Sequence, residues 1–273
     1  LVRERIENLI DPNTPFLELS PLAAWGTEDP IGVGIASGIG TIEGVECLIT
    51  GTDMTVRGGS ANPTTWKKSQ RFTEIAKQNR LPVINLNESA GADLPRQADL
   101  FIQGGASFRD LTQLSQMGIP TITMAFGPNT AGGAYTPGTS DYTVFVKEKG
   151  TAYLGGPPLV KMAIDEIVDE ESLGGAEMHS RTSGLSDFLA HDEMDALRIT
   201  RQIVKHLQWK KLGPGPSEPA DEPIYDPAEL LGCASADVRI PFDIREIYAR
   251  LLDGSRFEEF KPLYGERLVC GWA

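Results

Sequence analysis

The sequence predicts an α/β fold. Strand-like and helix-like stretches alternate along most of its 273 residues, the pattern of mixed layers rather than of an all-β or all-helical domain. Its hydrophobic share of 40% fills one well-buried domain with chain left over. A third observation is a unit that occurs twice, an apolar strand running into small residues and glycines and then into a helix.

The opening, Arg3 to Leu9, has helical charge and apolar spacing and runs into the turn Asp11-Pro12-Asn13. After Trp25 come short strand-like runs broken by glycine: Ile31–Ile35, Gly40–Ile42 and the β-branched Val45–Thr50. Thr64 to Asn79 reads as a helix, with Trp66, Phe72, Ile75 and Ala76 on one face and Lys67, Lys68, Arg71 and Lys77 on the others. The first repeated unit is the strand Leu81–Leu86, ending in Glu88-Ser89-Ala90-Gly91-Ala92. The second is Ile119–Phe126, ending in Gly127-Pro128-Asn129-Thr130-Ala131-Gly132-Gly133-Ala134. Tyr142–Val146 and Thr151–Tyr153 are further strands, and Asp192 caps a helix through Leu207.

The organisation changes at Gly213. Pro214, Pro216, Pro219, Pro223 and Pro227, interspersed with acidic residues, have linker composition. Beyond it Phe242–Leu252 reads as a helix and Leu268–Cys270 as the start of a strand. The expected division is therefore a first domain over 1–212, a linker over 213–228, and the truncated start of a second domain over 229–273.

A net charge of −13, from 25 basic and 38 acidic residues, repels nucleic acid and anionic lipid. Cys47, Cys233 and Cys270 are odd in number and far apart, so neither a disulfide framework nor a zinc site is expected. No apolar run reaches 18 residues, so no membrane span is expected either.

The chemistry points to the two strand-to-glycine turns. Such a turn presents free N–H groups at a positive helix end, and glycine lets a ligand approach that backbone closely. Two of them on neighbouring strands can aim two donors at one oxygen, an oxyanion hole, although glycines there equally serve tight turns and close helix packing. There is no Gly-x-Ser-x-Gly elbow, metal motif or phosphate-cradling Gly-Lys loop. His179, His191 and His206 have no nucleophile beside them, and Val160-Lys161-Met162 lacks the flanking methionine pair of a biotinylation site. A site of backbone donors without a protein acid, base or nucleophile suits a reaction whose cofactor carries the base.

These residues resemble a known family. Glu88-Ser89-Ala90-Gly91-Ala92-Asp93-Leu94-Pro95-Arg96-Gln97 is similar to the first signature loop of the carboxyltransferase β subunits of biotin-dependent acyl-CoA carboxylases, and Thr130-Ala131-Gly132-Gly133-Ala134-Tyr135 to the second. Arg57-Gly58-Gly59-Ser60, Leu154–Lys161 and Leu173–His179 extend the match, which resumes over Pro241–Ala273. Ala90 stands where the family often has glycine, and the four-cysteine ribbon of the bacterial two-subunit acetyl-CoA type is missing. The resemblance implies a crotonase-like ββα superhelix in which backbone N–H groups hold a thioester enolate. It places that role on Gly91 or Ala92 and on Gly132 or Gly133. It implies an acyl-CoA substrate, with Arg57, Gly58, Gly59, Lys67, Lys68 and Arg96 as candidates for binding the CoA, and no metal.

The implied reaction moves a carboxyl group from N-carboxybiotin to the α- or γ-carbon of the acyl group. The biotin is carried by a biotin carboxylase/biotin carrier partner, alongside identical or similar β subunits in a hexamer of the full-length chain. The cytoplasm of a bacterium or the mitochondrial matrix is the implied location. A biotin-dependent decarboxylase and a crotonase-type hydratase or isomerase are the rivals; the latter normally has glutamates near the second loop, and Gly132 to Asp141 has none.

Overall fold

The computed structural model describes residues 1–210, 219–260 and 267–273 of the chain. It falls into two compact units, Leu1–Leu212 and Gly213–Ala273, so part of the proline-rich segment lies outside the described residues.

The first unit begins with helix α1 (Val2–Leu9) and the short strand β1 (Leu17–Glu18). Strands β2 (Ile35–Ile42) and β3 (Val45–Thr52) form a hairpin, followed by helix α2 (Pro63–Asn79). Then come β4 (Val83–Ser89), α3 (Gln97–Gln116), β5 (Thr121–Thr130), the short helix α4 (Tyr135–Thr139), β6 (Tyr142–Val146) and β7 (Thr151–Tyr153). Helices α5 (Pro157–Ile164), α6 (Glu170–Gly174) and α7 (Ala176–Met178), strand β8 (Phe188–Ala190) and helix α8 (Glu193–Leu207) complete it. The sheet order is β1-β2-β3-β4-β5-β6-β8, with β7 also paired to β5. The β1–β2–β3 pairs are antiparallel and all later pairs parallel.

Helices cover both faces, which is why the central strands are nearly continuous apolar runs. On one face α1 and α8 bury Ile6, Leu9, Leu197 and Ile203 against Ile84, Met124 and Val144. On the other, Phe72 and Ala76 of α2 and Leu114 of α3 pack on Leu48 and Val83. The ends of α2 and α8 are set locally. Asn62 Oδ1 accepts from the Thr65 N–H at 2.9 Å, and Asp192 Oδ1 accepts from the Asp195 N–H at 2.9 Å.

Several expected elements of this unit differ, β4 among them: it is expected over Leu81–Leu86 and runs over Val83–Ser89. Ile31–Gly34 is not a strand but a tight turn with three left-handed residues, Gly32, Val33 and Gly34 at φ 79°, 50° and 71°. Gly40–Ile42 belongs to the longer β2, whose glycines accommodate a neighbour rather than break the strand: a Cβ on Gly38 would strike the Leu17 carbonyl. β5 runs past Phe126 because it changes partner, pairing with β6 over Ile122–Ala125 and with β7 over Pro128–Thr130.

The second unit contains helices α9 (Leu230–Cys233) and α10 (Ile244–Tyr248) and the antiparallel pair β9 (Glu258–Phe260) and β10 (Cys270–Trp272). The helix expected over Phe242–Leu252 is thus confined to Ile244–Tyr248, capped by Asp243, and the expected strand lies two residues later. None of this unit's described residues is buried. Among the described residues no helix is long and apolar enough to cross a membrane.

Candidate active site

The two glycine loops leave the ends of β4 and β5, which run parallel as neighbours with Ser89 opposite Asn129. They touch: a Cβ on Gly91 would lie 3.5 Å from the Thr130 carbonyl oxygen and 3.7 Å from Ala131 Cβ. Gly91 is at φ +94°, so this position in the first loop requires glycine, whereas Ala90 has an ordinary φ and fits without strain. The Gly91 N–H is already used, donating to Ser89 Oγ at 3.1 Å. The Ala92 N–H has no protein acceptor among the described residues. Gly132 and Gly133 lie in the tight turn Ala131–Ala134, whose i→i+3 pattern directs the Gly133 N–H to the Thr130 carbonyl and leaves that of Gly132 outside the turn's own bonds. Of the pair expected in the first loop, Ala92 is therefore the free donor.

Two asparagines hold the loops together, and sequence reasoning missed both. Asn129 is fully buried; its amide donates to the Gly127 carbonyl at 3.0 Å and to the Thr151 carbonyl of β7 at 2.9 Å. Its Oδ1 accepts from Asn87 Nδ2 at 2.6 Å, and the same Nδ2 lies 3.2 Å from the Gly133 carbonyl. The available signal was an asparagine near the end of each of the two strands that lead into the glycine loops.

The loops open on a cleft of ≈ 970 Å³. Gly91, Ala92, Gly132 and Gly133 all line it, as do Gly59 and the Gly155-Gly156 pair before α5. Leu94, Leu100, Phe108, Leu154 and Leu159 make much of its wall apolar, and Trp66 of α2 joins them. None of the described lining residues is Asp, Glu, His, Lys, Arg, Cys or Tyr. Dipoles aimed into such a low-dielectric space act more strongly on a developing charge than they would in water. His179 lies outside the cleft, buried between the Ala152 carbonyl and Ser183 Oγ, and Lys161 is on exposed α5, paired with Asp165. Among the described residues no cluster of three His, Cys, Asp or Glu could hold a metal.

Of the expected CoA cations, Arg57 and Arg96 meet at one carboxylate, that of Asp29. Arg96 donates to Asp29 at 2.8 Å, and Arg57 pairs with Asp29 at 3.5 Å and Asp93 at 3.4 Å, so both tie loops together at the rim. Gly58 and Gly59 form the left-handed turn after Arg57, at φ 60° and 71°. Lys67 is exposed and without a partner among the described residues.

Lys68 is a correction. It is 4% exposed, on the same helical face as Phe72 and Ala76, and Nζ donates to the carbonyls of Gly32 at 3.1 Å and Ile35 at 2.6 Å. It therefore clamps the left-handed turn whose residues Val33, Gly34 and Ile35 form part of the cleft wall, and cannot also reach into solvent for a phosphate. Burial pushes its pKa down to about 8. Between that value and the ordinary lysine pKa of about 10.4, the unfolded chain holds a proton that the folded chain has released. Stability should accordingly rise with pH across that window. Urea unfolding at pH 7.5 and 9.5 is expected to show this gain for the native protein and to lose it in Lys68→Met. An identical pH dependence in the two would contradict the clamp.

Two strand-to-glycine loops beside an uncharged cleft match the signature loops noted in the sequence, and comparison with known proteins decides the family. Residues 1–273 match the carboxyl transferase domain. The chain belongs to the carboxyl transferase domain family. It is 59% identical over 271 residues to a probable biotin-dependent acyl-coenzyme A carboxylase beta2 subunit of Mycobacterium tuberculosis, covering 99% of this chain and 51% of that one. The beta subunit of P. aeruginosa geranyl-CoA carboxylase superposes with a TM-score of 0.85 at 44% identity, over 99% of this chain and 51% of its own. The transcarboxylase 12S subunit, described as a hexamer and with methylmalonyl-coenzyme A bound, gives a TM-score of 0.71 at 28% identity, over 99% and 54%. The carboxyl transferase domain here thus has the crotonase-like α/β fold of such β subunits, and the chain spans about half the length of the curated relatives it matches.

Proposed function

We propose that the chain binds an acyl-CoA and stabilises its thioester enolate, as the first half of the carboxyltransferase β subunit of a biotin-dependent acyl-CoA carboxylase. The observation that carries this reading is the uncharged cleft lined by Ala92, whose N–H has no protein acceptor among the described residues, and by Gly132 in the first positions of the tight turn Ala131–Ala134. A thioester carbonyl seated against these groups gains most when its oxygen becomes anionic, which is the condition for lowering a barrier rather than merely binding substrate. The cleft fits a cofactor that brings its own proton acceptor, since none of its described lining residues can serve as one. Bound biotin, delivered by the carrier partner, supplies the carboxyl group and that acceptor. The chain's own residues orient the thioester, exclude water and hold the oxyanion. A hydratase or isomerase would need a carboxylate among the lining residues, which disfavours that rival.

In this reading residues 1–212 form the acyl-CoA-binding domain, 213–228 the linker and 229–273 the opening of a second domain, with the full-length subunit in a hexamer. Lys67, free on α2, and Arg57 and Arg96 at the rim are the remaining candidates for the CoA phosphates, at the α- or γ-carboxylation of an acyl group. Gly104 and Gly105 of α3 line the cleft, and a Cβ on either meets nothing within 4 Å. That open space favours a branched or long acyl chain. Calorimetric titration with CoA, acetyl-CoA, methylcrotonyl-CoA and geranyl-CoA tests the reading. Affinity should rise along the series, by about tenfold for each 1.4 kcal/mol of apolar surface buried. Equal affinity for CoA and every thioester would leave the cleft without a role in acyl binding.

A further inference from the structure

Directly beneath the two loops lies a charged group that the chemistry above does not use. Glu88 precedes Ser89 at the end of β4, and its carboxylate packs on β5: a Cβ added to Gly127 would lie 2.6 Å from Glu88 Oε1. Arg5 of α1 reaches the same point. Its Nη1 donates to Glu88 Oε2 at 2.5 Å and its Nε to Glu193 Oε2 at 2.8 Å, while its guanidinium stands 4.3 Å from the centre of the Phe126 ring. Glu193, at the start of α8, is also paired with Lys149 at 3.1 Å. One side chain thus engages both strands that carry donor loops, through an ion pair on β4 and an aromatic face on β5.

We propose that Arg5 is a positioning residue for the two donor loops, fixing the end of β4 against β5 so that the Ala92 and Gly132 N–H groups converge. The proposal rests on the reading of those groups as enolate donors. Stability alone is a poor reason for this arrangement. Arg5 and Glu88 are only 16% and 13% exposed, beside the apolar core of Ile6, Leu9 and Phe126. A buried pair at such a place commonly contributes no more than well-packed apolar residues would. What the planar fork adds is direction, since two donors at a fixed angle to Glu88 and Glu193 hold each carboxylate in one orientation. Burial opposes the Arg5 charge, but the hydrogen bonds it donates to Glu193 and Glu88 more than offset this and raise its pKa, so the fork stays protonated.

The test is steady-state carboxylation by the assembled carboxylase carrying Arg5→Lys, Arg5→Met or Glu193→Gln. Arg5→Lys keeps the charge and loses the fork. It should lower kcat by about 10–100-fold, the cost of misplacing a catalytic group by roughly an ångström, with KM for the acyl-CoA almost unchanged. Arg5→Met should lose at least as much; if it fails to fold, Arg5→Lys carries the test. Glu193→Gln removes a charge from the outer side of the network but keeps an oxygen that can accept from Arg5 Nε, leaves the Glu88 contact, and should keep kcat near the native value. Native kcat in Arg5→Lys would overturn the proposal, as would an equal loss in Glu193→Gln, because the network would then act through stability alone. Gly132→Val separates the two levels. If it retains turnover, the donor reading falls and the role of Arg5 falls with it. If it loses turnover while the Arg5 variants keep theirs, only the positioning role is wrong.

Discussion

Asn129→Asp should cost the first unit about 3–5 kcal/mol of stability, although the two side chains are nearly the same shape. The native amide donates to the carbonyls of Gly127 and Thr151 from a fully buried position. Aspartate replaces both donors with an oxygen facing two oxygens, and leaves a buried charge whose remaining contact is the Asn87 amide. Set against a typical total of about 5–15 kcal/mol, such a loss moves the denaturation midpoint far down or leaves no soluble protein. Any variant that does fold should also lose turnover, since Asn87 and Asn129 together hold the Gly133 carbonyl and the β7 backbone beside the cleft. A denaturant curve within about 1 kcal/mol of native, the size of one ordinary hydrogen bond, would show that the asparagine pair is not what binds the loops.

How much of this was legible in the sequence depended on how local the cause was. Helix α8 could be read to its boundaries because its cap, Asp192, and its apolar face lie within one stretch of chain. Strands β6 and β7 likewise carried their own pattern. β2 was misread because its glycines answer to pressure from the Leu17 carbonyl and the Phe16 ring, a neighbour that the pattern of β2 does not reveal. β5 was read short because a change of partner, not a change in composition, carries it through Gly127 and Pro128.

The same distinction holds in the site. The four loop positions Gly91, Ala92, Gly132 and Gly133 were legible from a repeated motif, and they do meet in one cleft. The cations were not, because a sequence shows charges and not their partners. Asp29 lies 67 residues from Arg96, which it holds. Lys68 could have been recognised, since it continues the four-residue spacing of Phe72 and Ala76, but a lysine on a buried face contradicts the ordinary expectation.

The central claim is that N–H groups at the ends of β4 and β5 hold a developing oxyanion, and Gly132→Val tests it most directly. Gly133 is the poorer target, because a Cβ there would lie 2.6 Å from Ser89 Cβ and 2.7 Å from Ser89 Oγ and disturb the first loop. A Cβ on Gly132 meets nothing within 4 Å, and its φ is not in the left-handed region, so valine is accommodated without backbone strain. Its branches occupy the open space beside the N–H that the thioester oxygen needs. The measurement is turnover of acyl-CoA carboxylation by the assembled enzyme, with thermal unfolding as the control for folding. The expected result is an unchanged melting temperature and a loss of about 10²–10³-fold in kcat, the typical cost of one oxyanion donor. Near-native kcat in a stably folded Gly132→Val protein would contradict the account.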